Sequence, residues 1–148
     1  MNPRPSANFA KVSAEYGLST YEVLTLASIV EKEATASDKR KVASVFLNRI
    51  KKKMKLESCA TLNYVLNKRN PHLSYKELKI DTPYNTYLHT GLPPTPICCF
   101  SINTLDAVLK SEKSCYLYFF TPDGRKHVFS KTYREHRAKI LKYGVYGK

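Results

Sequence analysis

The stretch from Asp81 to Ser101 constrains this chain more than any other. It carries Pro83, Pro93, Pro94 and Pro96, half of the chain's eight prolines, together with Gly91. Proline has no amide hydrogen and fixes its own backbone angle, so neither a regular helix nor a central strand can run through it. At about twenty residues it is long for a structureless connection, and loops of that length in compact domains are usually functional or disordered. Tyr84, Tyr87, Leu88, Leu92, Ile97 and Phe100 are interleaved with the prolines. They predict an ordered loop packed on the body of the protein.

The segments on either side read differently. Upstream, Ser19-Thr20-Tyr21-Glu22 has the spacing of a capping box, and Leu24, Leu26, Ala27, Ile29 and Val30 continue a first helix to Ala34. Asp38 is placed to cap a second helix whose apolar positions Val42, Val45, Phe46 and Ile50 follow the 3.6-residue period. A short third helix is expected over Thr61 to Leu66, then a loop over Asn67 to Pro71. Ser74-Tyr75-Lys76-Glu77 repeats the capping-box spacing for a one- or two-turn helix. Downstream, Ser101 to Leu109 reads as a helix. Cys115 to Phe120 is rich in strand formers, Pro122-Asp123-Gly124 is a turn signal, and His127-Val128-Phe129 is the returning strand. A last helix runs from Thr132 to Tyr143. The class is α+β: a mainly helical single domain with a small antiparallel hairpin.

The length of 148 residues suits one domain with one core. Residues 1–17 read as a leader, unstructured at least from Met1 to Phe9, and 18–148 as the folded domain. The net charge of +13 favours an anionic partner, and Lys51-Lys52-Lys53 with Lys55 concentrates part of it. A solvated face explains such a run equally well. A basic nucleic-acid-binding module is the rival that charge suggests, yet no recognition signature for nucleic acid accompanies it, and no nucleic-acid partner is expected. His72, His89, His127 and His136 are scattered, and Cys59, Cys98, Cys99 and Cys115 lack metal-site spacing. No metal or cofactor is expected.

Two features carry chemistry. The apolar run of the first helix ends in two acids, Glu31 and Glu33. Glu33 follows Leu26 by seven residues, Ile29 by four and Val30 by three, which puts it on the most apolar stripe. Glu31 shares a smaller apolar face with Leu24, Ala27 and Ser28. An apolar setting disfavours the ionised form of a carboxyl, as a general acid requires. Surface acids paired with Lys32 or Lys39 fit the spacing as well. The second feature is Thr82-Pro83-Tyr84-Asn85-Thr86-Tyr87 with Thr90-Gly91-Leu92-Pro93-Pro94. It offers uncharged donors and acceptors on stiff backbone, suited to a neutral sugar or to a self-satisfied loop.

Taken together, Leu26 to Glu33, Lys41 to Arg49, Pro83 to Tyr87, Gly91 to Pro94 and Tyr116 to Phe119 resemble the MltG (YceG-like) endolytic murein transglycosylase family, from about Leu18 to Leu141. The resemblance implies a lysozyme-like cleft and lytic cleavage of the bond between N-acetylmuramic acid and N-acetylglucosamine in peptidoglycan glycan strands, leaving 1,6-anhydro ends. It implies Glu33 as the catalytic residue with Glu31 as runner-up, and Tyr84, Asn85, Thr86 and Asn48 as substrate-binding residues. It further implies membrane association through an N-terminal segment not present here, an extracytoplasmic location, and the peptidoglycan synthesis machinery as a partner. A catalytically weak wall-binding scaffold is the alternative. Thr95 and Cys99-Phe100-Ser101 stand where the family carries glycine and an Asn-Pro-Gly-like turn, which implies a different loop shape there. Outside the cytoplasm disulfides persist, so a Cys59–Cys98 bond is an expectation. Cys115, at the start of a core strand, is expected as a buried free thiol, and four free thiols is the competing reading.

Overall fold

The computed structural model describes residues 7–68 and 73–144. The element order is α1 (Ala7–Tyr16), α2 (Thr20–Glu33), α3 (Lys39–Lys51), α4 (Cys59–Leu66), a 3-10 turn (Glu77–Lys79), α5 (Ile102–Leu109), β1 (Tyr118–Phe120), β2 (Val128–Ser130) and α6 (Tyr133–Tyr143). The α+β class expected from the sequence holds.

Helix α2 is the axis of the fold. Its capping box forms in full: the Glu22 amide donates to Ser19 Oγ at 3.1 Å, and the Ser19 amide donates to Glu22 Oε1 at 3.0 Å. Val23 and every residue from Thr25 to Val30 are buried. A helix apolar on all sides has to be enclosed, and α1, α3, α4 and α5 all pack against it. Leu26, Ile29, Val30, Val42, Phe46, Leu47, Ile97 and Val108 make one continuous core. Burying side chains of this size stabilises the fold by roughly 1.5–3 kcal/mol each before conformational entropy is subtracted.

The segment expected as a leader is helical from Ala7 onward, which corrects the 1–17 boundary. Phe9, Val12 and Tyr16 lie on one face at helical spacing and pack on the core. Gly17 ends α1 at φ 67°, and the Leu18 amide returns to the Ser13 carbonyl at 3.2 Å. Residues 1–6, the Arg69 to Pro71 part of the expected loop, and His72 lie outside the described residues.

Asp38 precedes α3 but makes no capping bond. Its carboxylate instead accepts from the Thr35 amide at 2.9 Å and from the His127 amide and Nδ1 at 2.9 and 2.8 Å, tying the hairpin to the helical body. The strands are antiparallel, with Phe119 opposite Phe129. Phe119 meets Phe46 of α3 edge-on at 5.6 Å. Strand β2 is displaced by one residue from its expected place, and β1 is shorter than expected because Ser114 to Leu117 spends its carbonyls elsewhere: Asn48 Nδ2 donates to Ser114 O and Tyr116 O at 2.9 Å each, and Arg49 Nε donates to Leu117 O at 2.7 Å.

The Pro-rich loop is ordered and packed, with Tyr84, Leu92, Ile97, Cys98 and Phe100 against the core; Leu88 is exposed. The departures at 95–101 carry bonds of their own. Thr95 Oγ1 meets Tyr84 Oη at 2.7 Å, and Ser101 caps α5 by accepting from the Thr104 amide.

Candidate active site

A cleft of about 1820 Å³ opens where the C-terminus of α2, the start of α4, the Pro-rich loop, the hairpin and α6 meet. Glu33 lines it, with Cys59, Ala60, Asn63, Tyr64 and Tyr87 nearby on the loop and α4, and Tyr118, Phe119, Tyr133 and His136 contributed by the hairpin and α6. Aromatic faces flanking one carboxyl suit a ligand made of flat-faced rings with hydroxyl edges.

Glu33 is half-buried as the last residue of α2. Its Oε1 accepts from the Ser58 hydroxyl at 2.9 Å and from the Ala60 amide in the first turn of α4 at 3.3 Å. Its Oε2 has no partner among the described residues. One oxygen is thus fixed and the other is left for a ligand in the cleft.

The group that fixes Oε1 is itself fixed. The Ser58 amide donates to Thr86 Oγ1 at 2.9 Å, and the Ser58 carbonyl accepts from the Thr61 and Thr86 hydroxyls at 3.0 and 3.2 Å. Ser58, Thr61 and Thr86 are at most 2% exposed. These hydroxyls form a dry, satisfied layer behind the carboxyl, an arrangement that holds a functional side chain in one rotamer.

Tyr87 stands beside them. Its hydroxyl lies 2.9 Å from Cys59 Sγ. Burial pushes the phenol's pKa up, and the neighbouring Cys59 and the Glu33 and Glu57 charges push it the same way. Tyr87 therefore enters the cleft as a neutral O–H group.

The backbone is strained on the same rim. Lys53, Glu57 and Asn67, the non-glycine residues with positive φ among the described residues, lie at 57°, 50° and 52°, and all three line the cleft. Left-handed backbone is unfavourable for L-residues and clusters at functional sites. Arg49 anchors this rim from below, donating to the Lys55 carbonyl at 2.7 Å while its guanidinium lies 4.9 Å over the Tyr118 ring.

The YceG-like family model matches residues 2–142. The chain belongs to the YceG-like family. It is 44% identical over 127 residues to the endolytic murein transglycosylase of Bacillus subtilis, covering 85% of this chain and 35% of that protein. The endolytic murein transglycosylase of Streptococcus pneumoniae is 37% identical over 108 residues, 69% of this chain and 20% of that protein. A crystal structure of a YceG-like protein from Listeria monocytogenes superposes with a TM-score of 0.77 at 41% identity, covering 89% of this chain and 43% of that one. The chain thus spans about a third of the B. subtilis relative and a fifth of the pneumococcal one.

Within this YceG-like domain the two acids separate cleanly. Glu31 points away from the cleft and caps α5, its Oε1 accepting from the Ser101 amide at 3.0 Å and the Thr104 hydroxyl at 2.8 Å. Those two bonds, the Ser101 amide first, lower its pKa and hold it ionised. A carboxylate spent on a helix N-terminus is a structural group.

The expected sugar-binding residues are placed differently from one another, and none of them lines the cleft. Asn85 is fully buried: Nδ2 donates to the Leu78 and Ile80 carbonyls at 2.9 and 2.8 Å, and Oδ1 accepts from the Tyr87 amide at 2.9 Å. Its polar atoms hold the loop together rather than facing a ligand. Thr86 supports Ser58, Tyr84 packs on Tyr64 with its hydroxyl on Thr95, and Asn48 tethers residues 114–116. The cleft residue of that motif is Tyr87, one position beyond those expected. Ser58 was missed, although its place just before a short helix is a cap position and its hydroxyl was available as a donor.

The cysteines correct a further expectation. All four are free. Cys59 pairs with Tyr87, and Cys98 Sγ donates to the Ser28 carbonyl at 3.2 Å, so the two thiols are engaged at different places. Cys115 is exposed ahead of β1 rather than buried in it. Among the described residues no group of three His, Cys, Asp or Glu could hold a metal, and no helix is long and apolar enough to cross a membrane.

Proposed function

We propose that this domain is a lytic transglycosylase of peptidoglycan that cleaves the β-1,4 bond from N-acetylmuramic acid to N-acetylglucosamine, with Glu33 as its single acid and base. The observation that carries the reading is the Glu33 carboxyl in an aromatic cleft, with Oε1 held by Ser58 and Ala60 and Oε2 without a partner among the described residues. The names of the B. subtilis and S. pneumoniae relatives support the substrate class.

Glycosidases of the ordinary kind need two carboxylates, one of which attacks the sugar or activates water. The second acid of this cleft, Glu57, is ion-paired with Arg49 at 3.5 Å. A reaction that needs only one carboxyl matches the rest of the lining. Protonated Glu33 gives its proton to the glycosidic oxygen as the bond from C1 breaks. The resulting carboxylate takes the proton of the muramyl C6 hydroxyl while that oxygen bonds to C1. N-acetylglucosamine leaves with a free 4-hydroxyl, the muramyl ring closes as the 1,6-anhydro sugar, and Glu33 regains its proton. No water is consumed. The work of the protein is to hold the carboxyl and the C6 hydroxyl in register. Tyr87 supplies a neutral donor beside the reacting atoms, and the aromatic side chains of the hairpin and α6 supply ring faces for flanking sugars.

Peptidoglycan lies outside the cytoplasm, so this reading sets the domain at the extracytoplasmic face of the cell membrane, beside the machinery that makes new strands. Incubation with purified peptidoglycan tests the reaction. Mass spectrometry is expected to find muramyl ends lighter by one water than hydrolysed ends, and reducing muramyl ends alone would contradict it.

A further inference from the structure

The cleft is aromatic within and cationic at its edges. Lys32 at the end of α2, Lys53 and Lys55 in the α3–α4 connection, and Arg137 on α6 all line it, are exposed, and form no ion pair among the described residues. Lys68 also lines it but is paired with Glu77 at 2.5 Å. The acids of the lining are Glu33, which the reaction uses, and Glu57, which is held by Arg49. Four uncompensated cations from three separate elements thus surround a carboxyl site. Lys53 is held in the left-handed region at φ 57°, a conformation that costs energy in a non-glycine residue. A cleft edged by one sign of charge concentrates substrates of the opposite sign.

In an intact strand each muramyl lactyl carboxyl is taken up in the amide to its stem peptide, so the sugars themselves are neutral and the anionic groups lie on the peptides. The stem peptide on the muramyl lactyl group carries free carboxylates and projects sideways from the strand, where the edges of a cleft would meet it. We propose, building on the transglycosylase reading, that Lys53 and Lys55 with Lys32 and Arg137 bind the carboxylates of stem peptides, so that the enzyme selects peptide-bearing strands over peptide-free ones. Sugar rings occupy the aromatic interior, and the anionic peptides lie along the rim.

The test compares initial rates of anhydro-end formation on soluble glycan strands of matched length, with stem peptides intact, or removed by an amidase and the freed lactyl carboxylates capped as methylamides, at sub-saturating concentration. The expected result is a preference of about 10-fold or more for peptide-bearing strands at low salt, shrinking severalfold near 0.5 M salt as exposed charges are screened. Lys53→Gln with Lys55→Gln should cut the ratio of the two rates severalfold. Lys126→Gln with Lys131→Gln removes the same charge outside this cleft and should leave the ratio unchanged. Equal rates on the two strands would overturn this inference alone. A preference that survives Lys53→Gln with Lys55→Gln, or falls equally in the control pair, would overturn it too. Absence of anhydro ends from both strands would overturn the transglycosylase reading and this inference with it.

Discussion

Replacing Asn85 by alanine separates a fold-building role from a sugar-binding one. The side chain is 0% exposed and makes three hydrogen bonds, two from Nδ2 to the Leu78 and Ile80 carbonyls and one from the Tyr87 amide to Oδ1. Ile80 is exposed and its carbonyl can rehydrate, whereas Leu78 and Tyr87 are half-buried. Leaving a buried donor or acceptor unmet costs about 1–3 kcal/mol per group. Two such groups, half-buried and therefore in the lower part of that range, give about 2–4 kcal/mol. For a chain of this size each kcal/mol lowers the midpoint by about 2–4 °C, so a fall of roughly 5–15 °C is expected. Asn85→Asp should be at least as damaging, because it keeps the acceptor for Tyr87 but turns an oxygen toward two carbonyls. Circular dichroism melts, paired with anhydro-end formation per folded molecule at low temperature, read both quantities. The refuting result is a melting temperature within 2 °C of the wild type, about one kcal/mol or less, together with lost turnover; that would put the amide on the substrate.

The other predictions concern the groups around it. Ser58→Ala removes the hydroxyl that fixes Glu33 Oε1, and turnover should fall about 10- to 100-fold in a folded protein; an unchanged initial rate would show that Ala60 alone suffices. Glu31 has a folded pKa below its unfolded value, so the stability it adds is present above about pH 4.3 and is lost as pH falls through the lower folded value. Glu31→Gln should therefore flatten the acid side of the stability–pH curve, which urea melts at pH 3 to 6 would show. Intact-mass analysis after alkylation without reduction should find four modified cysteines, with exposed Cys99 and Cys115 reacting before Cys98, whose thiol burial holds in its protonated form.

Much of the helical framework was legible because its signals are local. The Ser19–Glu22 box, the period of Val42 to Ile50 and the turn at Gly124 depend on neighbours a few residues away. Helix α1 was not read, because the short apolar stripe of Phe9, Val12 and Tyr16 carries little weight before the core it packs on is known. The stripe argument favoured Glu33 over Glu31; in the structure Glu33 lines the cleft and Glu31 is engaged by residues 101 and 104, some seventy positions away. Such long-range partners are invisible to spacing. Asn85 and Asn48 lie off the cleft lining on the same ground. A polar side chain in a loop looks available in sequence, and only the fold shows that backbone carbonyls have already claimed it.

The central claim is that one carboxyl, Glu33, carries both proton transfers, and the Glu33→Gln and Glu31→Gln pair tests it most directly. Each variant is assayed for 1,6-anhydro muramyl ends on peptide-bearing strands, with folding checked by melting. Glu33→Gln keeps the shape and loses the proton, so the account predicts a folded protein whose rate is lower by roughly 10²–10⁴, while Glu31→Gln stays within a fewfold of the wild type. Anhydro ends formed at the wild-type rate by Glu33→Gln, or their loss in a folded Glu31→Gln, would contradict it.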